Sequence, residues 1–315
     1  MTIEGKQMCA GVAGTGLVGT SIGLALRRAG WRTVGYDVCP AAAANAQAMG
    51  GFDVCVVSLE QLAGPEVDLV FVCVPPGATV PTVEALLAAG ASAVTDVASV
   101  KVPVVAALDG RHRFLGGHPM AGGETGGPGA ARASLFDGAN WVLTPGRHSA
   151  SSLVDLVAGA VRDTGARPVM LDPGTHDQCV ALVSHLPHVV AAALASVVAH
   201  DPGGGQARRL VAAGWLQTTR VASGPADLWA DILLHNAEAV IDAIDAFVVE
   251  LCRFRESLRA RDHGVLHDGL LCAAATRDGL LVGAAGNELS ARRAAPRPGG
   301  VRTVPSCVCG LPAAG

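Results

Sequence analysis

Over its first 172 residues the chain alternates short apolar runs with longer amphipathic stretches, and few folds accommodate that rhythm. The runs at 9–13, 33–36, 69–74, 93–95, 113–115, 141–144 and 168–171 have the length and branching of buried strands. Between them, 17–29, 41–49, 80–89, 101–108 and 151–164 place apolar residues at helical spacing. Strands joined through helices need crossover connections, and those generate a parallel sheet covered on both faces. Pro75-Pro76 and Pro173-Gly174 end strands by removing donors and fixing the chain direction. From residue 175 the strand signals vanish, and helical spacing continues through 180–198, 206–215 and 227–252.

Gly14, Gly16 and Gly19 form a G-x-G-x-x-G between the first strand and the first helix, with Leu17 and Val18 at the helix start. Glycine there lets the backbone approach a pyrophosphate at the helix N-terminus. With 40 glycines in the chain the bare spacing is weak, but it opens the first βαβ unit, and Asp37 follows at the end of the second strand. That carboxylate can accept from both ribose hydroxyls of NAD and would repel the 2'-phosphate of NADP; no arginine follows in Val38-Cys39-Pro40. Thr20 and Ser21 read as helix N-terminal residues and not as ligands. The expected class is α/β: an N-terminal Rossmann-type doubly wound parallel sheet (1–172) with NAD as cofactor, followed by an all-helical dimerisation and substrate domain (173–261). Residues 262–315, rich in Gly, Ala, Arg and Pro, are expected to be a poorly ordered tail.

Composition narrows the partners. A net charge of -4 and 3% aromatic residues offer polyanions neither a basic surface nor stacking platforms, so no nucleic acid is expected. No window reads as the roughly 18 clean apolar residues of a membrane span, and the first eight residues lack a signal peptide's basic stretch and apolar run. The expectation is a cytoplasmic protein without a membrane partner. Cysteines such as Cys9, Cys55, Cys73 and Cys179 sit singly in apolar stretches, which suits buried thiols better than bridges. Cys307 and Cys309 lack the second pair that a zinc site needs.

Gly14 to Asp37, Asp96-Val97-Ala98-Ser99-Val100-Lys101, Gly116-Gly117-His118-Pro119-Met120-Ala121-Gly122-Gly123-Glu124, Ser184-His185-Leu186-Pro187-His188, Thr218-Thr219-Arg220 and Leu228-Trp229-Ala230-Asp231 together resemble the prephenate and arogenate dehydrogenases of tyrosine biosynthesis. The resemblance runs in order over residues 8–255, and the His-Pro-Met-Ala-Gly segment is far more specific than the glycine fingerprint. It implies NAD-dependent oxidative decarboxylation of prephenate to 4-hydroxyphenylpyruvate: hydride leaves ring carbon C4 while the ring carboxylate departs as carbon dioxide. His118, just past a strand at the C-terminal edge of the sheet, corresponds to the residue that accepts the ring-hydroxyl proton, work suited to an imidazole.

The same resemblance makes Ser99 a catalytic residue bonding near the hydroxyl or the imidazole, although it could instead cap the helix from Lys101. Lys101 itself reads equally as a cofactor or substrate neighbour and as a surface residue. Arg220 corresponds to the arginine that pairs with a substrate carboxylate, with a helix-end salt bridge as the plainer alternative. His188, Glu124 and Trp229 complete the substrate set, while core packing is the slightly favoured reading for Trp229 and a plain loop carboxylate the alternative for Glu124. His185 reads as nearer structure, and His176 stands where it can hydrogen-bond across the cleft. No carboxylate or cysteine stands at ligand spacing with His185 and His188, so no metal is expected.

Two departures bear on specificity. Where relatives show an aromatic followed by Arg-Asp before Thr-Thr-Arg, this chain has Trp215-Leu216-Gln217. The lost charged pair leaves arogenate and 4-amino-4-deoxyprephenate open beside prephenate. Residues 286–305 resemble the linker and first strand of a regulatory domain that some relatives carry, and the chain given stops at Gly315, so weak or absent tyrosine feedback is expected. Two wider alternatives are a 3-hydroxyacid-type dehydrogenase, which would want a lysine in the helical part where none follows Lys101, and a non-catalytic NAD-binding protein. The expected assembly is a homodimer through the helical domain.

Overall fold

A computed structural model describes residues 2–3, 6–123 and 127–289. Eight strands form one sheet: β1 (Cys9–Ala13), β2 (Arg32–Tyr36), β3 (Val54–Cys55), β4 (Leu69–Val72), β5 (Val94–Asp96), β6 (Phe114–Pro119), β7 (Asn140–Thr144) and β8 (Arg167–Met170). Their order is β3-β2-β1-β4-β5-β6-β7-β8. The strand order reverses beside β1, the switch point at which doubly wound sheets take dinucleotides. A two-stranded ribbon, Thr2–Ile3 with Lys6–Gln7, precedes the sheet.

Adjacent residues of the central strand β4 point to opposite faces, and each face has its own core. Leu69 and Phe71 join Ala10, Val12, Ile22, Leu26, Trp141 and Val157 on one side. Val70 and Val72 join Val34, Val83, Leu86, Val94 and Val104 on the other. The first side is covered by α1 (Leu17–Arg28) and α6 (Ser151–Asp163). Between those helices in sequence come α2 (Pro40–Ala48), the single turn α3 (Leu59–Leu62), α4 (Pro76–Ala88) and α5 (Val102–Ala107), of which α3, α4 and α5 line the second side.

The expected all-parallel sheet is corrected in one respect: β7 runs antiparallel to β6, with Gly116 opposite Thr144 and His118 opposite Val142. This pairing also lengthens β6. Its parallel partner β5 pairs only as far as Leu115, where the apolar run ends, and β7 keeps the backbone extended through Gly116, Gly117, His118 and Pro119. His118 therefore lies within a strand and not beyond one. The two residues of β3 and the Ser58-capped turn α3 are too short to leave a periodic signal.

Beyond the sheet, α7 (Pro173–Val180), a π-helical turn (Ala181–His185) and α8 (Leu186–His200) make one continuous helix. Pro187 supplies no N–H to the turn before it, and a π-turn is a means of absorbing that loss. By length and composition this helix could cross a membrane, with a mean hydropathy of 1.8 over its most apolar window, which corrects the expectation that no window qualifies. One side of it carries the buried polar residues His176, Asp177, His185 and His188, while Leu182, Val183 and Val197 on the rest of it are exposed.

Two expected helices are each broken. The stretch 206–215 divides into α9 (Gly204–Ala207), a 3-10 turn (Arg208–Leu210) and α10 (Ala213–Thr219), separated by extended Val211 and Ala212. Leu210 and Val211 are exposed, so no packing face holds one helix together there. The stretch 227–252 divides at Asn236 into α11 (Ala226–His235) and α12 (Ala237–Ala260). Residues 263–289, expected within a poorly ordered tail, form the helix α13 (His263–Leu289), whose Ala and Leu content favours helix. The expected strand 301–305 and Cys307 and Cys309 lie outside the described residues. Residues 1–244 form one compact unit and 245–315 a second, so the sheet and every site residue below belong to the first.

Trp141 is fully buried against Phe71 and Phe136, with ring centroids 6.1 and 5.2 Å away. Trp141→Ala is expected to lower stability by about 3–5 kcal/mol, read as a reduced urea midpoint with an unchanged slope.

Candidate functional site

The turn after β1 is built by steric exclusion. Gly14 has φ +96°, and a Cβ there would fall 2.3 Å from the Cys73 carbonyl oxygen; one on Gly19 would fall 1.9 Å from the Gly14 oxygen. At Gly16 nothing lies within 4 Å, so the turn opens on its outer side. The helix α1 starts from Gly16 with no side-chain cap and no acidic residue in its first turn, leaving its first N–H groups for an anion. Leu17 packs inward and Val18 is half-buried. Thr20 Oγ1 donates to the Thr15 oxygen at 2.7 Å and Ser21 Oγ accepts from Arg132 N at 3.1 Å, structural tasks for both. Asp37, just past β2, accepts through Oδ2 from Thr15 N and Oγ1 at 2.7 and 3.0 Å, and through Oδ1 from Cys39 N at 2.9 Å. The carboxylate is thus locked beside the glycine turn, and the cradle fits a dinucleotide.

A second cluster surrounds the far end of β6. His118 Nδ1 lies 2.8 Å from His176 Nε2, the rings meeting edge to face with centroids 5.1 Å apart. His176 Nδ1 lies 2.7 Å from Asp177 Oδ1. Asp177 also accepts from Lys101 N at 2.7 Å and Val102 N at 2.8 Å, capping α5 from another helix. Asn236 Nδ2 lies 2.9 Å from the Asp177 carbonyl oxygen and 3.1 Å from His185 Nδ1, so the break between α11 and α12 serves this network.

Lys101 is fully buried, which removes the surface reading. Its ammonium is ion-paired with Asp96 Oδ2 and donates to the Gly117 oxygen at 2.8 Å, while Asp96 accepts from Gly117 N at 3.0 Å and Ala98 N at 2.9 Å. Burial draws the Lys101 ammonium below its ordinary value, and the charges of Asp96 and Asp177 oppose that. His118 is held well below the ordinary imidazole value, first by burial, and further by the neighbouring His176, Lys101 and His185, each of which disfavours a second positive charge. Burial takes His185 down to about 4 and lowers His188.

The remaining sequence candidates fall around this cluster unevenly. Ser99 is half-exposed and is not the cap of α5, whose N-cap is Lys101 with Asp177 reaching over it. His188 stacks on Trp229 with centroids 3.6 Å apart and planes at 12°. Gly224 is required beside them, since a Cβ there would come within 2.5 Å of Trp229 Nε1. Arg220 is exposed at the start of a 3-10 turn (Arg220–Ser223) that packs on α8. Asp231 Oδ2 accepts from Gly77 N at 2.9 Å, tying α11 to the start of α4. Glu124 lies outside the described residues. Sequence reasoning missed Asp96, Asp177 and Asn236. One signal was available: a lysine five residues after a strand-end aspartate, in a chain whose only other lysine is Lys6.

A doubly wound sheet with an open glycine turn at its switch point, and an imidazole toward the C-terminal end of another strand, β6, defines a dinucleotide-dependent oxidoreductase. Comparison with known proteins narrows the class. Residues 22–170 match the nucleotide-binding domain of prephenate dehydrogenase, and residues 172–271 match its dimerization domain. Prephenate dehydrogenase of Bacillus subtilis (strain 168) is 34% identical over 280 residues, covering 85% of this chain and 75% of the relative. Among solved structures, prephenate dehydrogenase from Aquifex aeolicus, in complex with hydroxyphenyl propionate and NAD+, superposes with a TM-score of 0.78 at 29% identity over 87% of this chain and 99% of that one. Synechocystis arogenate dehydrogenase gives 0.73 at 30% identity over 87% and 100%. The chain belongs to the prephenate dehydrogenase family.

Lys101→Ala would leave Asp96 buried without its counter-charge. It is expected to cost about 3–5 kcal/mol, measured by denaturant unfolding, against a much smaller loss for the exposed pair of Arg111 and Glu84.

Proposed function

We propose that the chain catalyses the NAD-dependent oxidative decarboxylation of prephenate to 4-hydroxyphenylpyruvate, with His118 as the proton acceptor. The observation that carries this reading is the setting of His118: one ring nitrogen is engaged by His176, the other is left for a substrate, and burial favours the neutral ring. The cofactor is NAD, for which the glycine turn and Asp37 are suited, and which takes the hydride from ring carbon C4. His118 Nε2 accepts the proton of the C4 hydroxyl as the hydride leaves. When the ring carboxylate departs as carbon dioxide, its bonding electrons aromatise the ring, and the proton returns from Nε2 to the oxygen. No proton is gained or lost overall, so His118 needs only to hold one transiently.

Anion holding falls to the helical part in this reading. Arg220, exposed and carrying a planar fork of donors, suits a substrate carboxylate. His188 and Trp229 form a flat stacked wall suited to a ring, Ser99 takes the position beside the hydroxyl, and Glu124 controls entry. The enzyme acts as a cytoplasmic homodimer; the exposed Leu182, Val183 and Val197 of the long helix and Ile241 of α12 supply apolar surface for the partner. Arogenate and 4-amino-4-deoxyprephenate undergo the same chemistry, and the loss of a charged pair at Leu216-Gln217 keeps both as comparators.

The test is NADH formation with each of the three substrates. His118→Asn is expected to lower turnover by at least about a hundredfold while NAD binding persists; near-normal turnover would remove His118 from this role. The pH profile follows from the same residue. Since His118 stays unprotonated well below the ordinary imidazole value, kcat/KM should hold its plateau as pH falls through 6.5, and decline only at lower pH, where the base becomes protonated.

A further inference from the structure

We infer that Asp177 and His176 are positioning residues for His118: the carboxylate fixes the tautomer of His176, and His176 holds the His118 ring with Nδ1 protonated and Nε2 open. This rests on the reading of His118 as the proton acceptor. Asp177 is buried and receives Lys101 N, Val102 N and His176 Nδ1 on its two oxygens. Three donors favour the ionised form, which can only accept. With His176 as a neutral ring, the premise of this inference, its proton sits on Nδ1 facing Asp177 and its Nε2 carries a lone pair. A 2.8 Å contact between two imidazole nitrogens needs one proton, and only His118 Nδ1 can supply it. His118 Nε2 is left unprotonated, which is the form a base requires.

The arrangement has a second consequence. When Nε2 takes the substrate's proton, His118 becomes a cation in a half-buried site that also holds the Lys101 ammonium and His185. Asp96 already faces that ammonium, so the anion left to offset the new charge is Asp177, acting through His176. The logic is that of an aspartate behind a catalytic histidine, lengthened by one imidazole. Both residues occupy the first turns of α7, so the helical part of the unit orients a base carried by the sheet.

The full chain is tested as Asp177→Asn, His176→Leu and His176→Gln, with His118→Asn alongside. Asp177→Asn and His176→Leu are expected to lower kcat by roughly 10²–10⁴ with KM for both substrates changed less than about threefold. In Asp177→Asn the acid limb of kcat should move to lower pH, because the anion that favours the imidazolium is gone. His176→Gln offers an amide oxygen to the same Nδ1–H and should recover at least about tenfold over His176→Leu. Turnover within about threefold of the parent in Asp177→Asn and His176→Leu overturns the inference. So does a loss accompanied by raised KM, an unmoved acid limb and no recovery in His176→Gln, the pattern of a merely structural tie. Should Asp177→Asn fail to fold because it also caps α5, the two His176 variants decide alone. If His118→Asn keeps turnover, the functional reading itself falls; if it is inactive while the others are normal, only this inference does.

Discussion

A lysine ammonium with no exposed surface is the constraint on which the site depends. Buried alone it would cost several kcal/mol or shed its proton. Here Asp96 ends β5, Gly117 O belongs to β6, and both hold the same Nζ, while the Lys101 backbone N–H is held by Asp177 from α7. Three separate elements are thereby fixed around one residue, and the backbone they fix is the one that carries His118. The ion pair contributes little net stability, but it makes any other arrangement of these elements leave a charge unpaired. It also sets a nearby positive charge that favours the neutral imidazole.

The antiparallel pairing of β6 with β7 supplies the reach. A strand paired on only one side loses its extended form where the partner ends, and β5 pairs with β6 only as far as Leu115. Gly117 is tied to Asp96 and Lys101 as well, and β7 adds the pairing that keeps Gly116, His118 and Pro119 extended. With it, His118 stands on a rigid ladder opposite Val142, three residues further along. Gly117 is needed in that stretch for space: a Cβ would come 2.7 Å from the Asp96 oxygen. Gly117 thus lets β6 pass close to β5, and Gly116, where a Cβ would come 2.4 Å from Thr144 Oγ1, lets it pass close to β7.

Much of the fold was legible because periodicity reports burial, and burial dominates here. Strands such as Cys9–Ala13 and helices such as Leu17–Arg28 begin and end within a residue of where the apolar pattern changes. What periodicity could not report was strand direction, since parallel and antiparallel neighbours bury the same side chains, nor helix breaks tied to the contacts of one side chain, as at Asn236. In the site, residues with titratable side chains in recognisable segments, His118 and His176 among them, were visible. Asp177 was not, because a carboxylate whose task is to receive backbone N–H groups has no signature apart from the fold that brings those groups to it; Asp96 opens the segment that ends at Lys101, but its pairing with that lysine emerges only in the fold.

The break at Asn236 shows how the helical part answers to the same site. An uninterrupted helix over 227–252 would keep every backbone group paired, so ending α11 at His235 has an energetic cost. The Asn236 amide lies within hydrogen-bonding distance of the Asp177 carbonyl oxygen and of His185 Nδ1. A neutral His185 next to that donor presents a lone pair at Nδ1, in keeping with a pKa taken down to about 4. A charged His185 would face the amide donor, and would add a further positive charge near His118. The helix is therefore interrupted where an amide can keep a second imidazole neutral, and the basicity of His118 is governed by groups on β5, β6, α7, the π-turn and the α11–α12 junction together.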